Sequence, residues 1–389
     1  MVTGLWNFHA VRFWVLGVFA LALSAIAAPA TASRPNIVQL TAGLSHSCAL
    51  DDAGRVWCWG RNFFGQLGIE DPNIQRSPVH VEGISDVIQI AAGGNHTCAL
   101  QSNGRVWCWG NNSVGQLGDG TAELRRTPVR LETLRNVQQI AAGNGSSHSC
   151  AIMRTGRARC WGWNGRGQIG DGSFTNSLLP VPVLRLRDVA KLSLGNRHSC
   201  ALRMDGQVRC WGENFESQLG GAAGPPQSIP QVVSGLGVPG DLAVGFHHGC
   251  IIRPNGRLRC WGQNDEGQAG DGTTNRVSDP QNVARIRNVA QIALGEKHSC
   301  VLLEDGRVRC WGLNSSGQLG NDSTTDSLTP VALRRSNDVE HIALGSNHGC
   351  VLRSSGQVRC WGSNSNGQLG DGTLTMRPQS VRVIFPAAP

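Results

Sequence analysis

The sequence predicts an all-β fold, a seven-bladed β-propeller with four antiparallel strands per blade, on three observations. The first is a unit repeated seven times. Paired cysteines fall at Cys48 and Cys58, Cys98 and Cys108, Cys150 and Cys160, Cys200 and Cys210, Cys250 and Cys260, Cys300 and Cys310, and Cys350 and Cys360, always ten apart, and successive units start 50 residues apart except for one step of 52. A fixed period in this range marks a repeat architecture, in which one supersecondary unit cannot bury its apolar face alone and needs a neighbour. The second is composition. With 51 Gly and 17 Pro, the apolar residues come in short runs broken by Gly, Asn, Asp and Pro, and no helix-length amphipathic period appears. The third is length: once a leader is set aside, the chain divides into seven units of roughly 51 residues, each room for four short strands and nothing more.

The leader is residues 1–32. Met1 to Arg12 carry one cation and no acid, Phe13 to Ala28 form an apolar run, and Ala30-Thr31-Ala32 supplies small residues for cleavage before Ser33. This reads as a secretory signal peptide, because the run is shorter than the ~20 residues a spanning helix needs. Residues 33–389 are then one propeller domain, expected to be secreted or periplasmic, free of the membrane after cleavage, and monomeric.

The second repeat serves for all seven. Val87 to Ala92 reads as strand A and ends at Gly93-Gly94. His96 to Leu100 is strand B, Ser102-Asn103-Gly104 a tight hairpin turn, and Arg105 to Trp109 strand C. A longer loop, Asn112 to Gly120, leads to a short strand D near Pro128 to Leu131.

The run His96-Thr97-Cys98-Ala99-Leu100, then Gly104-Arg105-Val106, then Trp109-Gly110-Asn111-Asn112 and Gly115-Gln116-Leu117-Gly118-Asp119-Gly120 resembles the repeat of the regulator of chromosome condensation family. The resemblance covers essentially the whole mature chain and implies a seven-bladed propeller. The family's namesake is a nuclear guanine-nucleotide exchange factor for a small GTPase and docks on chromatin. The export signal argues against that role here, as does the lack of a loop long enough for the namesake's β-wedge. The namesake's termini share a blade. This chain begins with a strand A and ends with a strand D, so the ring closes either by packing alone or by pairing its last strand with the first blade.

Alternation assigns the repeated residues. His96, Cys98 and Leu100 share one face of strand B with Val106 and Cys108 of strand C, while Ala99 and Trp109 look the other way. Trp59, Trp109, Trp161, Trp211, Trp261, Trp311 and Trp361 are expected to fill the gaps between blades as core. The His-x-Cys-x9-Cys set could converge three zinc ligands per blade, but a fourth is missing, the spacing is unusual, and an exported chain meets an oxidising compartment. A disulfide across each hairpin is the preferred reading, since opposed residues of a non-hydrogen-bonded pair are close enough to bridge. The seven histidines are then expected to be core residues bonding backbone near the A–B turn. No cofactor is implied, since the glycines of Gly-Gln-Leu-Gly precede no helix and serve turns.

No catalytic constellation emerges, so a non-enzymatic role is expected. What differs between repeats is the better guide. A–B turns and C–D loops share one face of the ring, B–C tips and D–A links the other. On the first, Phe63, Phe64, Trp163, Phe174 and Phe215 replace mostly small or polar residues in the C–D loops, and blade 3 carries a two-residue insertion around Asn144-Gly145-Ser146. Exposed aromatics are enriched at binding hot spots, and these five are the expected partner-binding residues. The partner class is a protein or an extracellular polymer, and inhibition of another protein, as by some secreted propellers similar to this family, is one form of it. On the opposite face Arg55, Arg105, Arg157, Arg257 and Arg307 follow the hairpin Gly, beside Arg154, Arg203, Arg253 and Arg353. Acids at the same tips are expected to leave this rim with weak attraction for polyanions, and no specific nucleic acid is expected.

Overall fold

Short strands that are apolar on both faces have to be sandwiched, and a closed ring of sheets does this for every one of them. The computed structural model describes residues 34–387, so the leader over residues 1–32 lies outside the described residues. Among these, twenty-eight strands form seven four-stranded antiparallel sheets, each made of four consecutive strands. Blade 1 holds β1 (Ile37–Ala42), β2 (His46–Asp51), β3 (Val56–Gly60) and β4 (Gln75–His80), and blade 2 holds β5 (Val87–Ala92), β6 (His96–Gln101), β7 (Val106–Gly110) and β8 (Arg125–Arg130). Strand D starts earlier than the sequence suggests. Gly110 pairs with Arg125 across a register irregularity after Cys108, which extends the ladder back toward the C–D loop. In blade 5, β17 (Asp241–Val244) has four residues rather than six, because Pro239 stands where strand A would begin and has no N–H to give.

The two faces of each sheet pack as alternation requires. Cys98, Leu100, Val106, Cys108 and Leu117 of blade 2 meet Val137, Ile140, Ala151 and Trp161 of blade 3 in one buried cluster. The seven interface tryptophans have no exposed surface. Each indole Nε1 donates 2.8–3.1 Å to the Gln carbonyl of the preceding blade's Gly-Gln-Leu-Gly loop, as Trp161 does to Gln116. Gly118 is needed for this approach, since its φ is +76° and a Cβ there would lie 2.6 Å from the Trp161 ring.

All fourteen cysteines form disulfides, each within its own hairpin, with Cα atoms 4.0–4.1 Å apart. The pairing is the one expected in every blade. Cys48 bonds Cys58 in blade 1, Cys98 bonds Cys108 in blade 2, Cys150 bonds Cys160 in blade 3 and Cys200 bonds Cys210 in blade 4. Cys250 bonds Cys260, Cys300 bonds Cys310 and Cys350 bonds Cys360 in blades 5 to 7. In each pair the two residues stand directly opposite each other in the B–C ladder, which is why a bridge closes without moving the strands. Zinc bound by thiolates is thereby replaced by covalent closure, and seven such bridges mark an oxidising compartment.

The histidines differ from expectation. Their Nε2 atoms bond not the backbone but a hydroxyl of the next blade: His46 to Thr97, His96 to Ser149, His148 to Ser199, His248 to Ser299 and His348 to Ser47, at 2.7–3.0 Å. Each hydroxyl spends its single proton on the Gln carbonyl that the tryptophan also uses, so the histidine must be the donor and carries its proton on Nε2. Strand B aims its histidine at the following blade, one repeat and one residue away, so the partner lies beyond the reach of local reasoning. Where the hydroxyl position is Gly249 or Gly349, His198 and His298 lack this bond.

β28 (Arg377–Arg382) pairs with its own blade's third strand. The ring therefore closes by blade-on-blade contact, without a strand of the last blade joining the first. Ser47 receives His348, Trp59 donates to Gln368, and Phe385 sets its edge against the Trp59 ring. Around the axis, Gln39 and Gln89 each bridge to the backbone of the next first strand, at Ile90 and Ile140, while blades 4 and 5 use the ion pair Lys191–Asp241 at 2.5 Å. A hollow of about 270 Å³ runs between these strands.

Candidate functional site

The C–D loops that carry the aromatics are each fourteen residues long and are built on one asparagine apiece. Asn164 shows how. Its Oδ1 accepts from the Ile169 amide at 2.9 Å, and its Nδ2 reaches the Ser173 and Thr175 carbonyls at 3.1 and 3.0 Å. Asn62, Asn112, Asn214, Asn264, Asn314 and Asn364 accept from the corresponding amide in the same way. A buried amide that replaces missing backbone partners gives an irregular loop one conformation. Side chains that leave this frame do so at repeated places, and there the blades differ.

Phe63, Phe174 and Phe215 are 51, 53 and 47 % exposed, whereas Phe64 and Trp163 are half-buried. They do not form one patch. In blade 1 the Arg61 guanidinium lies 4.8 Å from the Phe63 ring centre and 5.6 Å from that of Phe64. In blades 3 and 4, Arg197 sits 5.6 Å from Trp163 and Arg166 5.3 Å from Phe215. Blade 2, with Ser113 and Val114, separates the two groups, and Phe174 has no ring or guanidinium partner among the described contacts.

The second group is joined by a residue that sequence reasoning missed. Glu213 is 4 % exposed, and its carboxylate takes Arg166 at 3.0 Å, Arg197 at 3.4 Å and the Gln218 amide at 3.4 Å. His247 Nδ1 lies 3.6 Å from the same carboxylate. Burial pushes the His247 pKa down, against the pull of Glu213. A buried carboxylate persists only when such partners offset its lost hydration, and here it fixes two arginines under two aromatic rings. The signal available in the sequence was an acid at a position occupied elsewhere by Arg61, Asn111, Trp163, Gln263, Leu313 and Ser363.

The insertion in blade 3 is not a free finger. Gly145 has a φ of +81°, and a Cβ on it would fall 2.3 Å from Cζ of Phe246, so the loop is laid against the blade 5 turn. Phe246 itself is buried. Among the described residues no group of three or more His, Cys, Asp or Glu is placed to hold a metal, and no helix is long and apolar enough to cross a membrane.

Comparison with known proteins bears on the fold. Human WBSCR16 superposes with a TM-score of 0.76 at 24 % identity, over 85 % of this chain and 94 % of that one. Prp20p from Saccharomyces cerevisiae, described with its binding to Gsp1p and histones, gives 0.75 at 23 % identity over 91 % and 88 %. The same yeast protein bound to Kap60 gives 0.75 at 22 % over 95 % and 92 %. No curated protein sequence matches the chain. The profile of the RCC1-like domain matches residues 22–283 and 82–387, and with its repeats, blades and matched span in agreement, the chain belongs to the RCC1-like domain family.

Proposed function

We propose that the chain is an exported, non-enzymatic binding propeller that recognises a protein through its A–B and C–D loop face, inhibition of that protein being one form of the activity. The observation that carries this reading is the set of exposed rings, Phe63, Phe174 and Phe215, on loops whose frame is otherwise the same in every blade. Exposed aromatic area has a solubility cost unless a partner covers it, and guanidinium-backed rings on preorganised loops lose little entropy on binding. Phe64 and Trp163 are assigned supporting positions at the edges of the two groups. The leader over residues 1–32 and the seven disulfides support export, and the protein partners named for the similar yeast propeller support a protein as the partner class.

The test is capture from the medium surrounding the producing cells, with the wild-type chain and with Phe63→Ala, Phe215→Ala and Arg257→Ala as baits. A partner retained by the wild type and by Arg257→Ala, and lost with either aromatic variant, is the expected result. Equal retention by all three variants would move the functional surface elsewhere.

A further inference from the structure

The opposite face carries a second surface with a different chemistry. In blades 3 to 5 the B–C tips and D–A links place two concavities lined by arginine and by no acid. Arg135, Arg154, Arg157 and Arg159 line one of about 220 Å³, and Arg257, Arg285 and Arg287 line another of about 170 Å³. The acids of this arc are already used: Glu132 is held by Arg130, while Asp188 and Asp205 both pair with Arg203, at 3.8 and 2.7 Å. None of the seven arginines lining the two concavities makes an ion pair with a described carboxylate. Acids at the tips do pair with Arg55, Arg203 and Arg307, but none reaches the arginines of these two concavities.

Between the two concavities stands an apolar point. Met204 at the tip of blade 4 is 68 % exposed and Val238 in the following link 69 %, more than any other large apolar residue described. Both belong to the blade 4 tip region: Met204 lies in the tip itself, and a Cβ on Gly206 in the same tip would lie 3.9 Å from Val238 Cγ1. Val232 and Leu184, also exposed, end the adjoining strand and open the adjoining link.

We propose that this arc docks on an anionic lipid bilayer, the guanidinium groups taking lipid phosphates and Met204 and Val238 entering the interface between them. A guanidinium matches phosphate with two parallel hydrogen bonds, and a basic surface is drawn to anionic headgroups within about a Debye length. A soluble polyanion would satisfy the arginines equally well. It would leave the aliphatic point in water, and that point is what favours a bilayer, whose interface rewards buried apolar area added to charge. The surface lies on the far side of the ring from the aromatic loops and does not rest on their assignment.

The experiment is co-sedimentation of the mature chain with phosphatidylcholine vesicles, with and without phosphatidylglycerol, alongside binding to soluble inorganic polyphosphate. The wild type is expected to bind the phosphatidylglycerol vesicles and to prefer them to pure phosphatidylcholine. Met204→Asp combined with Val238→Asp should lower vesicle affinity roughly tenfold or more while leaving polyphosphate binding within about twofold. Arg157→Glu combined with Arg257→Glu should weaken both. All four side chains are exposed, and unchanged circular dichroism and a full set of disulfides verify folding. Absence of a preference for anionic vesicles overturns the proposal. So does vesicle binding that the Met204/Val238 variant leaves unchanged, which would identify a site for soluble polyanions instead.

Discussion

The two faces of the ring are built from the same strands and differ in how their loops are held. On the A–B and C–D side, each fourteen-residue loop closes on its own buried asparagine, and the variable side chains stand on a fixed frame. On the other side, the B–C tips are tight turns such as Gln101 to Arg105, closed by one pair of backbone bonds, and arginine is the side chain they present most often. The first arrangement favours shape-specific recognition, because little order remains to be imposed on binding. The second favours attraction without fixed geometry, because long charged side chains adapt to whatever phosphate or carboxylate approaches. One scaffold can offer both because the contacts between blades use the repeated residues, such as the Gln116 carbonyl and Trp161, and leave most of the variable positions free.

The largest expected effect removes the comparison altogether. Reduction of the seven disulfides should cost about 2–3 kcal/mol per bridge on the chain-entropy estimate, and both faces should fail together, read as a collapse of the denaturation midpoint. Aromatic-loop binding that survives full reduction would show that the loops do not depend on the bridges below them.

Acid comes next. Burial lowers the pKa of His46, His148, His248 and His298 to about 3 and of His96 and His348 to about 4. The folded form keeps these rings neutral while the unfolded chain protonates them near pH 6.5. Their contribution is thus fully present above pH 6.5 and is lost as pH falls toward 4, by about 2 kcal/mol per histidine at pH 5. Urea midpoints that stay flat between pH 7 and pH 5 would contradict the burial of these rings.

Asn164→Ala separates the faces. It strips the blade 3 loop of its amide anchor and should cost about 2–4 kcal/mol, as several buried partners are left unsatisfied at once. Hydrogen exchange should rise in residues 163–176 and not at the tip of the same blade. Smaller again, Phe215→Ala should weaken partner binding by about 1–2 kcal/mol with little loss of stability. The smallest effect is expected for Arg157→Ala, whose side chain is exposed and without an ion pair: within about 0.5 kcal/mol in stability, and none on capture through the aromatic loops.

Much of this molecule was legible in its sequence because a repeat gives seven readings of each position. The strand A boundaries in blade 2, those of strands B and C to within a residue, the bridge between Cys98 and Cys108, and the burial of Trp109 all followed from alternation and spacing. Contacts between blades were less accessible. The hydroxyl that receives each histidine lies about a full repeat away, and its signal was only a Ser or Thr recurring directly after the histidine, broken at Gly249 and Gly349. Glu213 was hidden for a related reason: its partners Arg166, Arg197 and His247 come from three different blades, and nothing local distinguishes it from a solvated loop acid. The five aromatics were found as departures from the repeat, but the division of Phe63, Phe64, Trp163 and Phe215 into two groups depends on arginines that the repeat does not contain.

Closure without strand exchange makes the junction between the last blade and the first equivalent to the other six. The wheel has no clasp. Its described ends meet in a single hollow lined by Arg34, Pro35, Val383 and Phe385, near enough to be joined by a short linker, and any D–A link could then be cut to give new ends. Circular permutants opened at different links should fold to the same ring and should differ only in which loops are synthesised first.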